Sequence, residues 1–327
     1  MRILVFGAGA VGSAIGGFLS AHHDVLLVGR GNHIDSIRRD GLGIRGILGE
    51  SHHSPQACQS NNLAEHPFLE SSPDWILITV KATDTAEAVR QLLKCLPDPP
   101  SSIWMHVQNG LGNYETIQEE LRLTTPNPQS VRLLSAMTIT GYEIAEPGFV
   151  DITVYGGPGK VGWLSAESRS TEAQAMTDML AKTPLVFEYT EEMISFLWAK
   201  LLYNSCLNPL GALLRVPYGE LRTEWTLSLM RDILKEAFAL ARFMDVPLFW
   251  SEPGEYYRHL VDKLIPATAL HEPSMLADLN RGRRTEIQSM NGYIVRESEK
   301  VGLEAPVNQS LVRLIEASSE IHSTKNT

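Results

Sequence analysis

Basic residues are in short supply in this chain of 327 residues: 28 lysines and arginines face 38 aspartates and glutamates, for a net charge of −10. That balance argues against nucleic acid or an anionic membrane surface as a general partner. An anionic small substrate would need a local cationic pocket instead. Cysteine is scarcer still. Cys58, Cys95 and Cys206 are the 3 in the chain, and their scatter fits neither a disulfide framework nor a metal site, so reduced thiols in a cytoplasmic protein are expected. The pairs His22-His23 and His52-His53 do not have ligand spacing, because adjacent residues face apart on a helix or a strand. No metal site is expected. An apolar run of about 18 residues, the length that spans a bilayer, is also missing, so no membrane span is predicted. Met1-Arg2 runs directly into a short apolar segment without the layout of a signal peptide.

What is present begins at once. Arg2 to Phe6 (RILVF) has strand composition, and Gly7-Ala8-Gly9-Ala10-Val11-Gly12 follows before a helix-compatible stretch from Ser13 to Ala21. In a strand–turn–helix of this kind the first glycine permits the tight turn. The second lets the backbone approach a pyrophosphate, and the third lets helix and strand pack closely. The helix N-terminus faces the phosphates. Dinucleotide binding by Gly7 through Gly12 is the reading. Asp24 to Val28 forms the next strand and ends at Gly29-Arg30. An NAD-preferring site places an acid there for the ribose 2′-hydroxyl. The cation Arg30 suits a 2′-phosphate instead, which favours NADP(H).

Further strands are predicted at Asp74 to Val80 and Ile103 to Val107, with helices over Thr85 to Leu96 and Tyr114 to Leu121. Lys81 and Asn109 follow the carboxyl ends of those strands, where open α/β sheets bind ligands. Gly41 to Gly49 reads as a short hairpin or loop, and Ser51 to Pro73 resists assignment. Leu133 to Thr140, Phe149 to Tyr155 and Leu185 to Tyr189 are predicted strands. A helix over Thr171 to Lys182 lies between the later two, and the whole reads as a mixed extension of the first sheet. After Glu191 the chain turns helical, so the boundary separates a dinucleotide-binding domain over 1–190 from a helical substrate and catalytic domain over 191–327. Leu227 to Met244, Tyr256 to Leu264 and Pro306 to Ile321 have helical period. Arg284 to Lys300 is expected to be the longest of these helices.

The most apolar stretch of that half is Trp198 to Leu214. Its polar residues Lys200, Asn204 and Asn208 recur every four positions, a stripe that drifts only ~80° around a continuous helix. A lysine on such a helix is costly to bury without a partner, and a buried lysine is a favoured acid or base. Asn208-Pro209 leaves a second arrangement open, with Asn208 as an N-cap and Pro209 opening a new helix. Ser274 after Pro273 suits either a helix cap or a site residue. Glu286, beside the apolar positions Ile287, Met290 and Ile294 of an expected helix, is a natural partner for Lys200.

Five segments together resemble the 2-dehydropantoate 2-reductase (ketopantoate reductase) family: the N-terminal glycine turn, VKATDT around Lys81, QNGLGNYE around Asn109, WAKLLYNSCLNPL, and PSMLADLNRGRRTEI. They occur in the family's order over essentially the whole chain. The resemblance implies an α/β chain with a Rossmann-type N-terminal domain, an all-helical C-terminal domain and an active site in the cleft between them. It implies NADPH-dependent reduction of 2-dehydropantoate to (R)-pantoate, in the pathway to pantothenate and coenzyme A. Lys200 would be the general acid, and Glu286 would contact the cofactor ribose and the active-site network. Asn109 would lie near nicotinamide and substrate. Asn204, Asn208 and Ser274 would hold the substrate, while Gly7 to Gly12, Arg30 and Lys81 would bind cofactor. One position departs from the pattern: the family often has Asn three residues before the serine, and here it is His271, which bears on the substrate more than on the reaction. Paralogues that reduce other 2-oxo acids, opine-type and 6-phosphogluconate-type dehydrogenases, and a non-catalytic NADP(H) sensor are the rival readings. A small 2-oxo acid is the expected partner, and the sequence leaves room for a homodimer without specifying one.

Overall fold

The computed structural model describes residues 1–124, 131–164 and 170–323. The chain divides into two compact units, the first made of Met1–Gln108 with Asn113–Met193 and the second of Ile194–Thr327 with the short segment Asn109–Gly112.

The first unit runs β1 (Arg2–Phe6), α1 (Ala10–Leu19), β2 (Asp24–Gly29), α2 (Asn32–Asp40), β3 (Leu42–Gly46), β4 (Ser51–His53), β5 (Gln56–Gln59), β6 (Trp75–Ile78), α3 (Thr85–Cys95), β7 (Ile103–His106), α4 (Asn113–Thr124), β8 (Arg132–Met137), β9 (Thr140–Glu146), β10 (Phe149–Tyr155), β11 (Gly159–Gly162), α5 (Ser170–Leu180) and β12 (Phe187–Tyr189). Eight strands form one sheet in the order β12-β11-β8-β7-β6-β1-β2-β5. From β8 to β5 every pairing is parallel. The short strand sequences bury both faces. Ile3, Val5, Val25, Leu27, Trp75 and Leu77 join α1, α5 and the inner residues of a smaller sheet in one core. Leu4, Phe6, Leu26, Val28, Ile76 and Ile78 join α3 and α4 in the other. This is why the strands read as continuous apolar runs rather than alternating ones. The order reverses at β1, which has β2 on one side and β6 on the other, so the carboxyl ends of β1 and β6 form the switch point where such sheets bind ligands.

The expected extension of the first sheet is only half correct. β8, β11 and β12 do extend it. β9 and β10 instead pair with each other and then, through β10, with β3, giving a separate four-stranded sheet in the order β4-β3-β10-β9. The glycine-rich segment is a hairpin arm of that second sheet. The unassigned stretch supplies β4 and the edge strand β5.

The second unit contains α6 (Met193–Leu214), α7 (Glu224–Phe243), α8 (Pro253–His259), α9 (Ile265–Ala267), α10 (Ser274–Asn280), α11 (Asn291–Lys300) and α12 (Pro306–Ser323). Trp198, Leu201, Leu202, Cys206, Leu207 and Leu210 are all buried, so α6 is a central helix covered on most sides. It does not break at Asn208-Pro209. Proline lacks the N–H that would serve the Ser205 carbonyl four residues earlier. Asn291 Nδ2 donates to that oxygen instead, at 3.0 Å. The same Nδ2 group donates to Asn308 Oδ1 at 2.9 Å, and Glu236 on α7 accepts from Asn308 Nδ2 and from the N–H groups of Val307 and Asn308 at 2.6, 2.9 and 3.0 Å. A buried polar chain therefore ties α6, α11, α12 and α7 together.

Nor is Arg284 to Lys300 one long helix. Ile287–Ser289 is a 3₁₀ turn, Met290 leaves helical geometry at φ −108°, ψ −104°, and α11 starts at Asn291. The Ser289 carbonyl accepts from Leu111 N–H at 2.8 Å instead of serving a helix. Among the described residues no helix is long and apolar enough to cross a membrane.

Candidate active site

In the first unit the glycine turn has distinct demands at each glycine. Gly7 lies at φ +115°, and a Cβ there would meet Val80 N at 2.3 Å. The turn at the end of β1 thus presses directly on the end of β6. A Cβ on Gly12 would strike Thr79 Oγ1 at 2.4 Å, the hydroxyl that donates to Gly7 O at 2.8 Å. These two glycines are required by the protein's own packing. Gly9 differs: a Cβ there would come only within 3.9 Å of Gly7 O. Gly9 precedes α1, which carries no acidic residue in its first turn. The N–H groups of a first helical turn have no intrahelical partner, so Ala10, Val11 and Gly12 open the helix with donors suited to an anion. The side of the turn left open at Gly9 fits a pyrophosphate. Ala8 belongs to the turn through its N–H, which donates to Val28 O at 2.8 Å.

Arg30 follows β2, as its sequence position requires, but it does not stand alone. Its Nη2 donates to Asp84 Oδ2 at 2.7 Å. Lys81 follows β6 and opens the turn that leads through Asp84 into α3, with Asp84 N–H donating to Lys81 O at 2.8 Å. Gln108 buttresses this turn, because its Nε2 donates to Val80 O at 2.8 Å and to Thr85 Oγ1 at 2.7 Å.

In the second unit the stripe on α6 is real. Asn208 Nδ2 donates to Asn204 Oδ1 at 3.1 Å. Asn208 Oδ1 in turn accepts from Tyr218 Oη at 3.2 Å and Ser274 Oγ at 3.3 Å. The hydroxyls set the polarity of the amides: with both oxygens taken, Asn204 keeps its Nδ2 donors for a ligand. Pro273 holds the N-cap position and Ser274 is the first residue of α10, and its hydroxyl is spent on the amides through Asn208 Oδ1. His271, half-buried, lies against Tyr218 with ring centroids 5.3 Å apart. Burial holds its imidazole below the ordinary range, with Glu272 acting in the opposite direction; a depressed histidine is neutral at pH 7.

Lys200 sits one turn before Asn204 on the same helix. Burial pushes its ammonium down to about 8, against the raising influence of Glu286. Glu286 closes the 3₁₀ turn from its N-terminal side rather than riding a long helix, and Asn109 Nδ2 donates to Glu286 Oε2 at 3.3 Å. Asn109 reaches it because the segment Asn109–Gly112 folds with the second unit. Gly110 adopts φ +78°, and a Cβ there would lie 2.3 Å from Ser289 O. No other residue type tolerates both that conformation and that approach. The second unit thus brings together Lys200, Glu286, Asn109, Asn204, Asn208, Ser274 and His271. The first holds the glycine turn, Arg30 and Lys81. Sequence reasoning missed Tyr218 and Asp84. Asp84 lies within the quoted VKATDT segment, but its partner is 54 positions away in sequence.

A doubly wound unit with an open glycine turn, joined to a helical unit with a depressed lysine beside a carboxylate, is the build of a two-domain oxidoreductase acting on a CH–OH group. The family described as "Ketopantoate reductase PanE/ApbA" matches residues 3–164, and its C-terminal counterpart matches residues 192–319. The chain belongs to this family. It is 32% identical to a 2-dehydropantoate 2-reductase of Aquifex aeolicus over all of this chain and 99% of the relative. It is also 32% identical to one of Pyrococcus horikoshii over 98% of each. A crystal structure of a PanE/ApbA family ketopantoate reductase from Ralstonia eutropha matches with TM-score 0.83 and 27% identity, covering 98% of this chain and 99% of that one. D-mandelate dehydrogenase, solved with NADH and anilino(oxo)acetate, shares the fold at TM-score 0.84 and 24% identity, over 98% and 99% of the two chains.

Proposed function

We propose that the chain reduces 2-dehydropantoate to (R)-pantoate with NADPH, a step toward pantothenate and coenzyme A. The observation that carries this reading is the lysine near pKa 8 beside Glu286, on the same helical stripe as the amide chain. A bound reduced nicotinamide would supply the hydride for the substrate ketone. The chain's own residues do the rest. Lys200 Nζ donates the proton that turns the nascent alkoxide into a hydroxyl, and its charge stabilises that oxygen beforehand. An ammonium titrating near 8 is mostly protonated at neutral pH yet gives its proton up readily. Asn204 Nδ2 donates to a polar, anionic substrate, and Ser274 Oγ, whose proton goes to Asn208 Oδ1, is left to accept from a substrate hydroxyl; neither adds charge. Glu286 keeps Lys200 protonated, and Asn109 fixes Glu286. Gly9 and the first turn of α1 would hold the pyrophosphate, while Arg30 and Lys81 would bind the adenosine end, with Arg30 reading the 2′-phosphate.

The test is NADPH oxidation followed by absorbance with a panel of 2-oxo acids, on which 2-dehydropantoate is expected to give the highest kcat/KM. Turnover of other branched 2-oxo acids without 2-dehydropantoate would identify a paralogous reductase. No turnover of any of them, with NADPH bound tightly, would sink the enzymatic reading. For the cofactor, Arg30→Ala is expected to weaken NADPH about tenfold while leaving NADH nearly unchanged, the low end for a charge-assisted contact because the guanidinium is exposed and shared. Equal losses for the two nucleotides, measured as Kd by fluorescence titration, would show that Arg30 does not read the 2′-phosphate.

A further inference from the structure

We propose that Asp84 sets the nucleotide preference of the first unit by holding and partly neutralising Arg30. This rests on the reading of Arg30 as the 2′-phosphate contact. Three observations carry it. First, aspartate is a favoured helix N-cap, and Asp84 stands at the N-cap of α3, yet its side chain makes no capping bond. Its Oδ2 goes to Arg30 Nη2 at 2.7 Å, and Oδ1 accepts from Thr83 Oγ1 at 3.1 Å.

Second, both ends of the pair are held. The Arg30 backbone enters Gly31, whose N–H and carbonyl are clasped by the Gln59 amide at 3.0 Å each. Asp84 is tied back to Lys81 O through its N–H at 2.8 Å. Third, Arg30 is 77% exposed and Asp84 38%. A pair so open contributes little to folding, but it stays within reach of a bound anion.

A 2′-phosphate approaching Arg30 meets a guanidinium already matched by a carboxylate. It must share or displace Asp84 and feels that negative charge at close range. A 2′-hydroxyl carries no charge and meets no such repulsion. Asp84 therefore narrows the advantage that Arg30 gives NADPH over NADH. Asp84→Asn keeps the shape and an acceptor for Thr83 while removing the charge.

The experiment is fluorescence titration of NADPH and NADH on the full chain, on Asp84→Asn, on Arg30→Ala and on the double variant, at low and high salt. Asp84→Asn is expected to tighten NADPH about three- to tenfold at low salt, less at high salt, with NADH unchanged. The gain should vanish when Arg30 is alanine. If Arg30→Ala discriminates between the nucleotides but Asp84→Asn leaves NADPH unchanged, weakens it, or shifts NADH equally, the role of Asp84 is overturned on its own. If Arg30→Ala weakens both equally, the assignment of Arg30 fails, and the role of Asp84 fails with it.

Discussion

Replacing Lys200 with alanine is expected to lower kcat for ketone reduction by about 10²–10⁴, the range for loss of a positioned general acid, with Kd for NADPH unchanged. The pH profile is the more discriminating readout. Lys200 titrates at about 8. Reduction needs the protonated form, so single-turnover rates should hold steady below that value and fall as pH rises through it. Oxidation of the product alcohol needs the neutral amine, so its rate should rise through the same interval. The cause of the shift supplies a second check. Burial lowers the pKa and Glu286 raises it, so Glu286→Gln should move both limbs to lower pH. In Lys200→Ala the limb near 8 should disappear. A limb that survives unchanged in Lys200→Ala, or a Glu286→Gln limb that moves upward, would remove Lys200 from the role of acid.

The sequence made the first unit's frame legible because the physics there is local. A run of buried apolar residues followed by glycines that only a tight turn requires says strand, turn and helix without distant information. The stripe on α6 was legible for the same reason, since its spacing is a property of one helix. What stayed hidden depended on partners far away in the chain. Nothing near Thr140 to Tyr155 says that β10 will pair with β3 rather than join the larger sheet. Asn208-Pro209 reads locally as a helix start, because proline restricts the residue before it. It lies within a helix, where Asn291, a distant residue, serves the carbonyl that proline abandons. The Glu286 segment reads as helix by its apolar spacing and is broken by a carbonyl spent on Leu111. Candidate site residues are nominated by residue type, by spacing on α6, by position at strand ends and by the family resemblance. Their orientation, which Tyr218 and Ser274 impose on the amides, was not legible in that way.

The Asn291 contact carries the second large effect. Asn291→Ala removes the donor to Ser205 O and to Asn308 Oδ1, and both acceptors sit in residues that are almost wholly buried. An orphaned buried acceptor costs about 1–3 kcal/mol, so the variant should be destabilised by about 2–4 kcal/mol. Amide hydrogen exchange is the suitable probe, because a chain of two units does not unfold in one step. Protection should fall along α6 and α11, with the strands of the first unit little affected. The decisive comparison uses Pro209→Ala. Alanine restores the N–H that a helix aims at the carbonyl four residues back, so Ser205 O gains an intrahelical donor. In that background Asn291→Ala should cost about 1 kcal/mol less, the worth of one ordinary hydrogen bond. The residual cost then reports Asn308 alone. Strict additivity of the two substitutions would mean that Asn291 does not stand in for the missing proline donor. Coupling of the expected sign would show why α6 can carry a proline next to Asn208 and still present Lys200, Asn204 and Asn208 along one face.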